Sequence, residues 1–178
     1  MQKAVLLLLP LATLGCTSTL EQVNAVLAAG SGGSPVGAGT GALFRMTDQQ
    51  KESLKNTIIA GARSGNPQQN LAIKESSGII YKFIATESCL ASYNASMLNV
   101  YAAPGKRFPD FGYNSPALLM RYHQKSGCTT VTRIHGWNMP ARNALRFEVV
   151  YSSELSGESV KANHEIIRQP SGEWLFSN

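Results

Sequence analysis

Between Gly30 and Gly41 the chain reads Gly-Ser-Gly-Gly-Ser-Pro-Val-Gly-Ala-Gly-Thr-Gly, half of it glycine. A segment of this kind cannot build a core. As a flexible coil it spans about 5 to 6 Å times the square root of its length, on the order of 20 Å. A phosphate-cradling loop is disfavoured because no strand precedes the glycines and no Gly-Lys-Ser/Thr closes them. The core must therefore come from the C-terminal side of the glycines, where residues 45–178 are enough for one globular domain of ordinary size. With 43% hydrophobic and 15% charged residues, the chain is not disordered throughout. It also has no apolar run near the ~18 to 20 residues of a bilayer span, so a multi-pass membrane protein is excluded.

Ahead of the glycines, Met1-Gln2-Lys3 carries one positive charge into the short apolar stretch Ala4 to Ala12, the layout of a secretory signal peptide. The run Thr13-Leu14-Gly15-Cys16 resembles the lipobox of bacterial lipoprotein precursors, with the small residue Gly15 before the cysteine and Thr13 where the family usually has Leu. The resemblance implies cleavage after residue 15, lipidation of Cys16 with palmitate among its chains, and residues 16–44 as anchor and tether. Thr17, rather than Asp, follows the cysteine, which in that family favours the outer membrane, facing the periplasm. A soluble secreted or periplasmic protein is the alternative. Acylation would anchor the chain firmly, because each buried methylene contributes about 0.8 kcal/mol and a single chain binds only marginally.

If Cys16 carries lipid, Cys89 and Cys128 remain as a pair, which in an exported chain suggests a disulfide. Two buried free thiols are the alternative. A metal site is disfavoured, since no C-x-x-C or H-x-x-x-H spacing lies near either cysteine, and no cofactor is expected.

Residues 17–29 predict a short helix, with Thr19 and Gln22 at capping-box spacing. Within the domain, Thr47 and Gln50 form a second such box, with Leu54, Ile58, Ile59 and Ala62 on one face and Gly65 and Pro67 beyond it. This predicts a helix over 48–63. Six runs rich in β-branched and aromatic residues then predict strands: 79–84, 97–101, 117–123, 129–135, 144–152 and 159–168. Ser156-Gly157-Glu158 and Pro170-Ser171-Gly172 are hairpin signals. Leu145, Phe147, Val149 and Tyr151 alternate with Arg146, Glu148, Val150 and Ser152, giving one buried and one more polar face. The expectation is an α+β domain in which an N-terminal helix packs on a curved antiparallel sheet of about 4–6 strands. A helix-first order ending in Gly172-Glu173-Trp174-Leu175-Phe176 is similar to the nuclear-transport-factor-2-like and cystatin-like cone folds, and that resemblance implies a curved sheet that often forms a pocket.

No G-x-S-x-G elbow exists, and a disulfide would remove Cys89 as a nucleophile, so no catalytic residue is assigned. His164 shares a strand face with Val160, Ala162 and Ile166 and is a candidate interior residue, with Tyr151 as its companion in a pocket. As a general base it would need a carboxylate or substrate within hydrogen-bond reach.

Seven basic residues (Lys106, Arg107, Arg121, Lys125, Arg133, Arg142, Arg146) against Asp110 alone make residues 101–146 a basic middle, followed by an acidic end. A basic patch on an anchored domain suits anionic lipid, an anionic envelope polymer or an acidic protein, and nucleic acid less well; basic residues scattered on solvated strand faces are the alternative. Two long loops, 102–116 and 136–142, are candidate contact surfaces through Phe108, Phe111, Tyr113 and Trp137, with Lys106, Arg107 and Arg142 beside them; the alternative is that Phe108, Phe111 and Trp137 fold back as satellite core clusters. The functional expectation is a lipid-anchored, periplasm-facing binding or assembly module of the bacterial envelope. It could serve as accessory to a secretion or conjugation machine, with an envelope protein as partner. A small-ligand pocket protein, with or without catalysis, is the alternative.

Overall fold

A computed structural model describes residues 45–63, 66–90, 94–123 and 127–178. The signal segment, Cys16, the tether, the helix expected over 17–29, Gly65 and Lys125 lie outside the described residues. The first helix, α1 (Asp48–Gly61), begins at the predicted box: the Thr47 hydroxyl accepts from the Gln50 amide, and the Gln50 side chain accepts from the Thr47 amide. Leu54 and Ile58 are fully buried. Gln50 also donates through Nε2 to the Cys128 carbonyl at 3.2 Å and to Thr130 Oγ1 at 3.0 Å, and Ser53 Oγ donates to the Val131 carbonyl at 2.8 Å. The residue that caps α1 thus also fastens it to the sheet.

The run 79–84, expected as a strand, lies inside a long helix, α2 (Pro67–Ser88), with Asn66 as N-cap and Pro67 in the first turn. Its buried face runs Ile73, Ser76, Ile80, Phe83, Ile84 and Glu87, spaced three and four apart. Three hydroxyls hide that period in the sequence. Ser76 Oγ donates to the Ala72 carbonyl at 2.7 Å, Ser77 Oγ to Lys74 and Thr86 Oγ1 to Lys82, each at 2.8 Å. With hydroxyls satisfied by the preceding turn, polar residues occupy an apolar face.

The runs 97–101 and 117–123 are not strands either. Ala95–Tyr101 is a 3-10 segment, and Pro116–Leu119 is a single turn of helix, α3. The first is tied down by one of its own side chains and the residues after the second by a side chain distant in sequence. Asn99 Oδ1 accepts from the Phe108 amide at 2.7 Å, and the Glu158 carboxylate accepts from the Arg121 and Tyr122 amides at 2.9 and 2.7 Å.

Four antiparallel strands follow in the order β1-β2-β3-β4: β1 (Thr130–Ala141), β2 (Ala144–Ser152), β3 (Ser159–Arg168) and β4 (Trp174–Phe176). Both predicted hairpins are present. The stretch 136–142, expected as a contact loop, largely continues β1. The 12 residues of β1 face nine of β2, and the surplus is absorbed where the register shifts at three places along β1. Bulges bend a strand and increase its twist. Gly136, with φ 66°, occupies one of them, and Pro140 is tolerated because β1 is an edge strand. Leu145, Phe147, Val149 and Tyr151 face inward as the alternation predicts. Helices α1 and α2 cover that inner face, and the outer face is polar. Cys89 and Cys128 meet at 2.04 Å, joining the end of α2 to the start of β1.

Candidate functional site: a buried carboxylate beneath an open hollow

Glu87, in the last turn of α2, is 1% exposed. Its helix phase, one turn beyond Phe83 and Ile84, turns the carboxylate into the core, where three elements converge on it. The hydroxyl of Tyr151, from β2, donates to Oε2, and that of Tyr113, from the loop before α3, donates to Oε1, both at short range. His164, from β3, places Nε2 3.2 Å from Oε2, close enough for an ion pair but off the line of a hydrogen bond. Its ring is surrounded by Phe83, Phe147 and Phe176 at centroid distances of 5.3, 5.6 and 5.8 Å. Nδ1 is buried with no hydrogen-bond partner among the described residues.

Burial alone would push the Glu87 carboxyl upward. The charge and proximity of His164, with the two tyrosine hydroxyls, outweigh that penalty and hold it below the ordinary carboxylate range. Burial raises both tyrosines, and the neighbouring Glu87 charge raises them further. The hydroxyls therefore stay protonated and act as donors. Both carboxylate oxygens are engaged, so what the cluster chiefly does is lock together the end of α2, β2, β3 and the 113 loop.

The cluster floors a hollow of about 190 Å³ between β3 and the segment leading into α3, lined by Tyr113, Asn114, Pro116 and Leu119 on one side and residues 160–164 on the other, with Glu87 and Asn178. A second, shallower hollow of about 450 Å³ shares Asn163, His164 and Asn178 with it and runs along His135, Gly136 and Asn138. Outside the sheet, His135 Nε2 and Lys161 Nζ approach Glu148 Oε1 at 2.7 and 2.9 Å, and Arg146 pairs with Glu165. The Lys161 hydrogen bond is the main cause that lowers the Glu148 carboxyl.

Of the two expected pocket residues, His164 lines both hollows, while Tyr151 lies behind the carboxylate. The expected contact residues divide. Phe108 is 5% exposed and packs at 5.2 Å from Phe83, so it belongs to the core and not to a contact surface. Tyr113 is turned to Glu87. Trp137 is half-buried against Phe147, centroids 4.7 Å apart, in the strand and not in a loop. Lys106, Arg107, Phe111 and Arg142 are exposed. Glu87 escapes the sequence reading because its neighbourhood has the composition of a strand; on a helix, an acid on the apolar face one turn past Phe83 is the signal that marks it.

Among the described residues no group of three or more His, Cys, Asp or Glu could hold a metal ion, and no helix is long and apolar enough to cross a membrane. No protein family, curated protein or solved structure matches the chain.

Proposed function

We propose that the protein is a lipid-anchored, periplasm-facing binding module of the bacterial cell envelope, accessory to a larger assembly such as a secretion or conjugation machine. One observation carries the binding part: three large apolar side chains stand out at one end of the sheet. Leu119, Tyr122 and Leu155 are 50%, 66% and 69% exposed. Leu119 rims the smaller hollow, Leu155 lies in the Ser153–Glu158 turn, and Glu158 of that turn holds the backbone of Tyr122. Arg121 lies 5.3 Å over the Tyr122 ring. Exposed apolar groups rimmed by polar ones mark contact sites. The signal-like N-terminus and Gly-rich segment support the anchor and its reach.

The test is a Tyr122→Ser, Leu155→Ser double variant of the full chain, purified from membranes beside the unaltered protein. A stoichiometric partner that is lost in the variant, with Tm unchanged, is the expected result. Absence of any protein partner from the unaltered chain, with a small molecule bound in native mass spectrometry, would overturn it in favour of a small-ligand pocket protein. The hollow that reaches Glu87 and His164 favours that second reading, although about 190 Å³ falls below the ~300 to 1,000 Å³ of most ligand pockets.

A further inference from the structure

We propose that the edge of β3 from Val160 to His164 is a docking site for an extended, acidic segment of a partner protein, added as a fifth strand. The inference rests on the binding-module reading and gives it a place and a partner chemistry.

Sheet edges template the pairing of another chain unless they are blunted, and two of the edges here are blunted. β1 carries its bulges and Pro140, and α1 bonds to its start. β4 is three residues long, and Ala103 donates to the Phe176 carbonyl at 2.7 Å from its open side. Along its first half β3 has no bulge, no proline and no paired strand on its open side, and α3 lies across the hollow from it. Its register with β2 is unbroken from Ser159 to Ile167, while β4 pairs only with Ile166 to Arg168. Which backbone groups face outward follows from Glu165: its carbonyl accepts from the Ser177 amide at 2.8 Å, and its amide donates to the Asn178 side chain, both on the β4 side. With a period of two, Asn163 and Lys161 present their N–H and C=O to that same side. There, among the described residues, nothing pairs with them.

The hollow fits the inward side chains of an added strand. Residues 160–164 form one wall, Pro116 and Leu119 face them, and about 190 Å³ of space lies between, room for a side chain of valine or leucine size. Charge selects the remainder of the segment. Lys106 lies at the β4 end of this edge, its amide donating at 2.9 Å to the carbonyl of Ala103, which itself bonds to Phe176, and it helps lower the Glu165 carboxyl after Arg146 and Ser177. Arg121 is held by its amide to Glu158 at the other end. Both cations are exposed, and the acids beside them are already engaged, Glu165 by Arg146 and Glu158 by the Arg121 and Tyr122 amides. The span from Glu158 to Glu165 is about 23 Å at ~3.3 Å per residue, so an extended segment of seven or eight residues with acids at its ends and apolar residues between would reach both cations. A second copy of the same edge would set these cations against their own kind.

The experiment titrates the full chain with a nine-residue peptide of alternating valine and threonine flanked by aspartates, and with its lysine-flanked twin, following amide hydrogen exchange. The aspartate peptide is expected to slow exchange at Lys161 and Asn163 and to bind at least tenfold tighter than the lysine one. Asn163→Pro, which removes an outward N–H without touching the β2 ladder, should abolish that protection. Should this variant unfold, Lys106→Glu with Arg121→Glu tests the same point by reversing the preference. No protection from either peptide, equal binding of both, or protection that appears only with self-association would overturn the edge assignment. A membrane-purified partner that survives both edge variants also overturns it and leaves the binding-module reading standing. A purified chain that protects these amides with peptide but brings no protein partner from membranes overturns the broader reading alone.

Discussion

Glu87→Ala would leave two tyrosine hydroxyls buried without their acceptor and the His164 ring without its neighbouring carboxylate, and removing one member of such a set costs about 3 to 5 kcal/mol. We expect Tm to fall by many degrees, with Glu87→Gln recovering part of the loss because an amide oxygen still accepts; chemical denaturation of the three proteins checks it. The pH dependence follows from the two directions of shift. A carboxyl held low in the fold adds stability above the unfolded value of about 4.3 that is lost as pH falls through its folded value. Tyrosines held high add stability below about 10 that is lost as pH rises beyond it. The stability curve should therefore be flat in this contribution between about pH 5 and 9 and fall at both ends, and Tyr151→Phe should weaken the alkaline decline. At Gly61, a Cβ would lie 2.5 Å from Trp137 Nε1. Gly61→Ala should cost about 1 to 3 kcal/mol by displacing the indole, and a shift in tryptophan fluorescence would report it.

At the scale of elements, α2 and β1 show where local pattern and tertiary context part company. The run Ile79 to Ile84 has the composition of a strand, yet 22 residues of helix surround it, because Ser76, Ser77 and Thr86 return their hydroxyls to the backbone and leave the buried face dry. Replacing Ser76 with Ala should change stability by less than about 1 kcal/mol, since the removed hydroxyl bonds only to its own helix; an equilibrium urea curve tests this. The stretch 136–142 has the look of a loop because Gly136 and Pro140 are loop residues. In a bulged edge strand both have a place. The hairpins, by contrast, fall where their turn residues put them, since turn geometry is decided within a few residues. The Cys89–Cys128 link ties α2 to β1 across a sequence separation of 39. The chain-entropy account of such a loop gives roughly 4 kcal/mol at most, and a thermal melt after mild reduction should show a large drop in Tm.

For the whole molecule, the anchor reading makes a prediction independent of the fold. Cys16→Ser should abolish palmitate incorporation and release the domain from membranes on fractionation. A variant that stays labelled and bound would remove the lipoprotein reading and leave the domain's description intact. The basic middle of the sequence disperses in space: Arg146 is spent on Glu165, Arg133 is on the outer face of the sheet, and Lys106 and Arg121 lie at opposite ends of β3. Of the described members of that run, Lys106, Arg107, Arg121 and Arg142 are exposed, and Lys106 and Arg121 are the two that flank the β3 edge.

Local features were legible in the chain alone: the Thr47–Gln50 helix start, the inward face of β2, the two C-terminal hairpins, the inward position of His164 and the cysteines left to pair. Each depends on capping, a period of two, turn chemistry or a count, all set within a short span or by residue type. Cooperative features needed the assembled fold. Only packing could make a helix of a strand-like run, take up the surplus residues of β1 as bulges, or bring Glu87 to Tyr113, Tyr151 and His164 from three separate elements. Burying a carboxylate is unfavourable until all its partners arrive together, and no segment carries that condition alone.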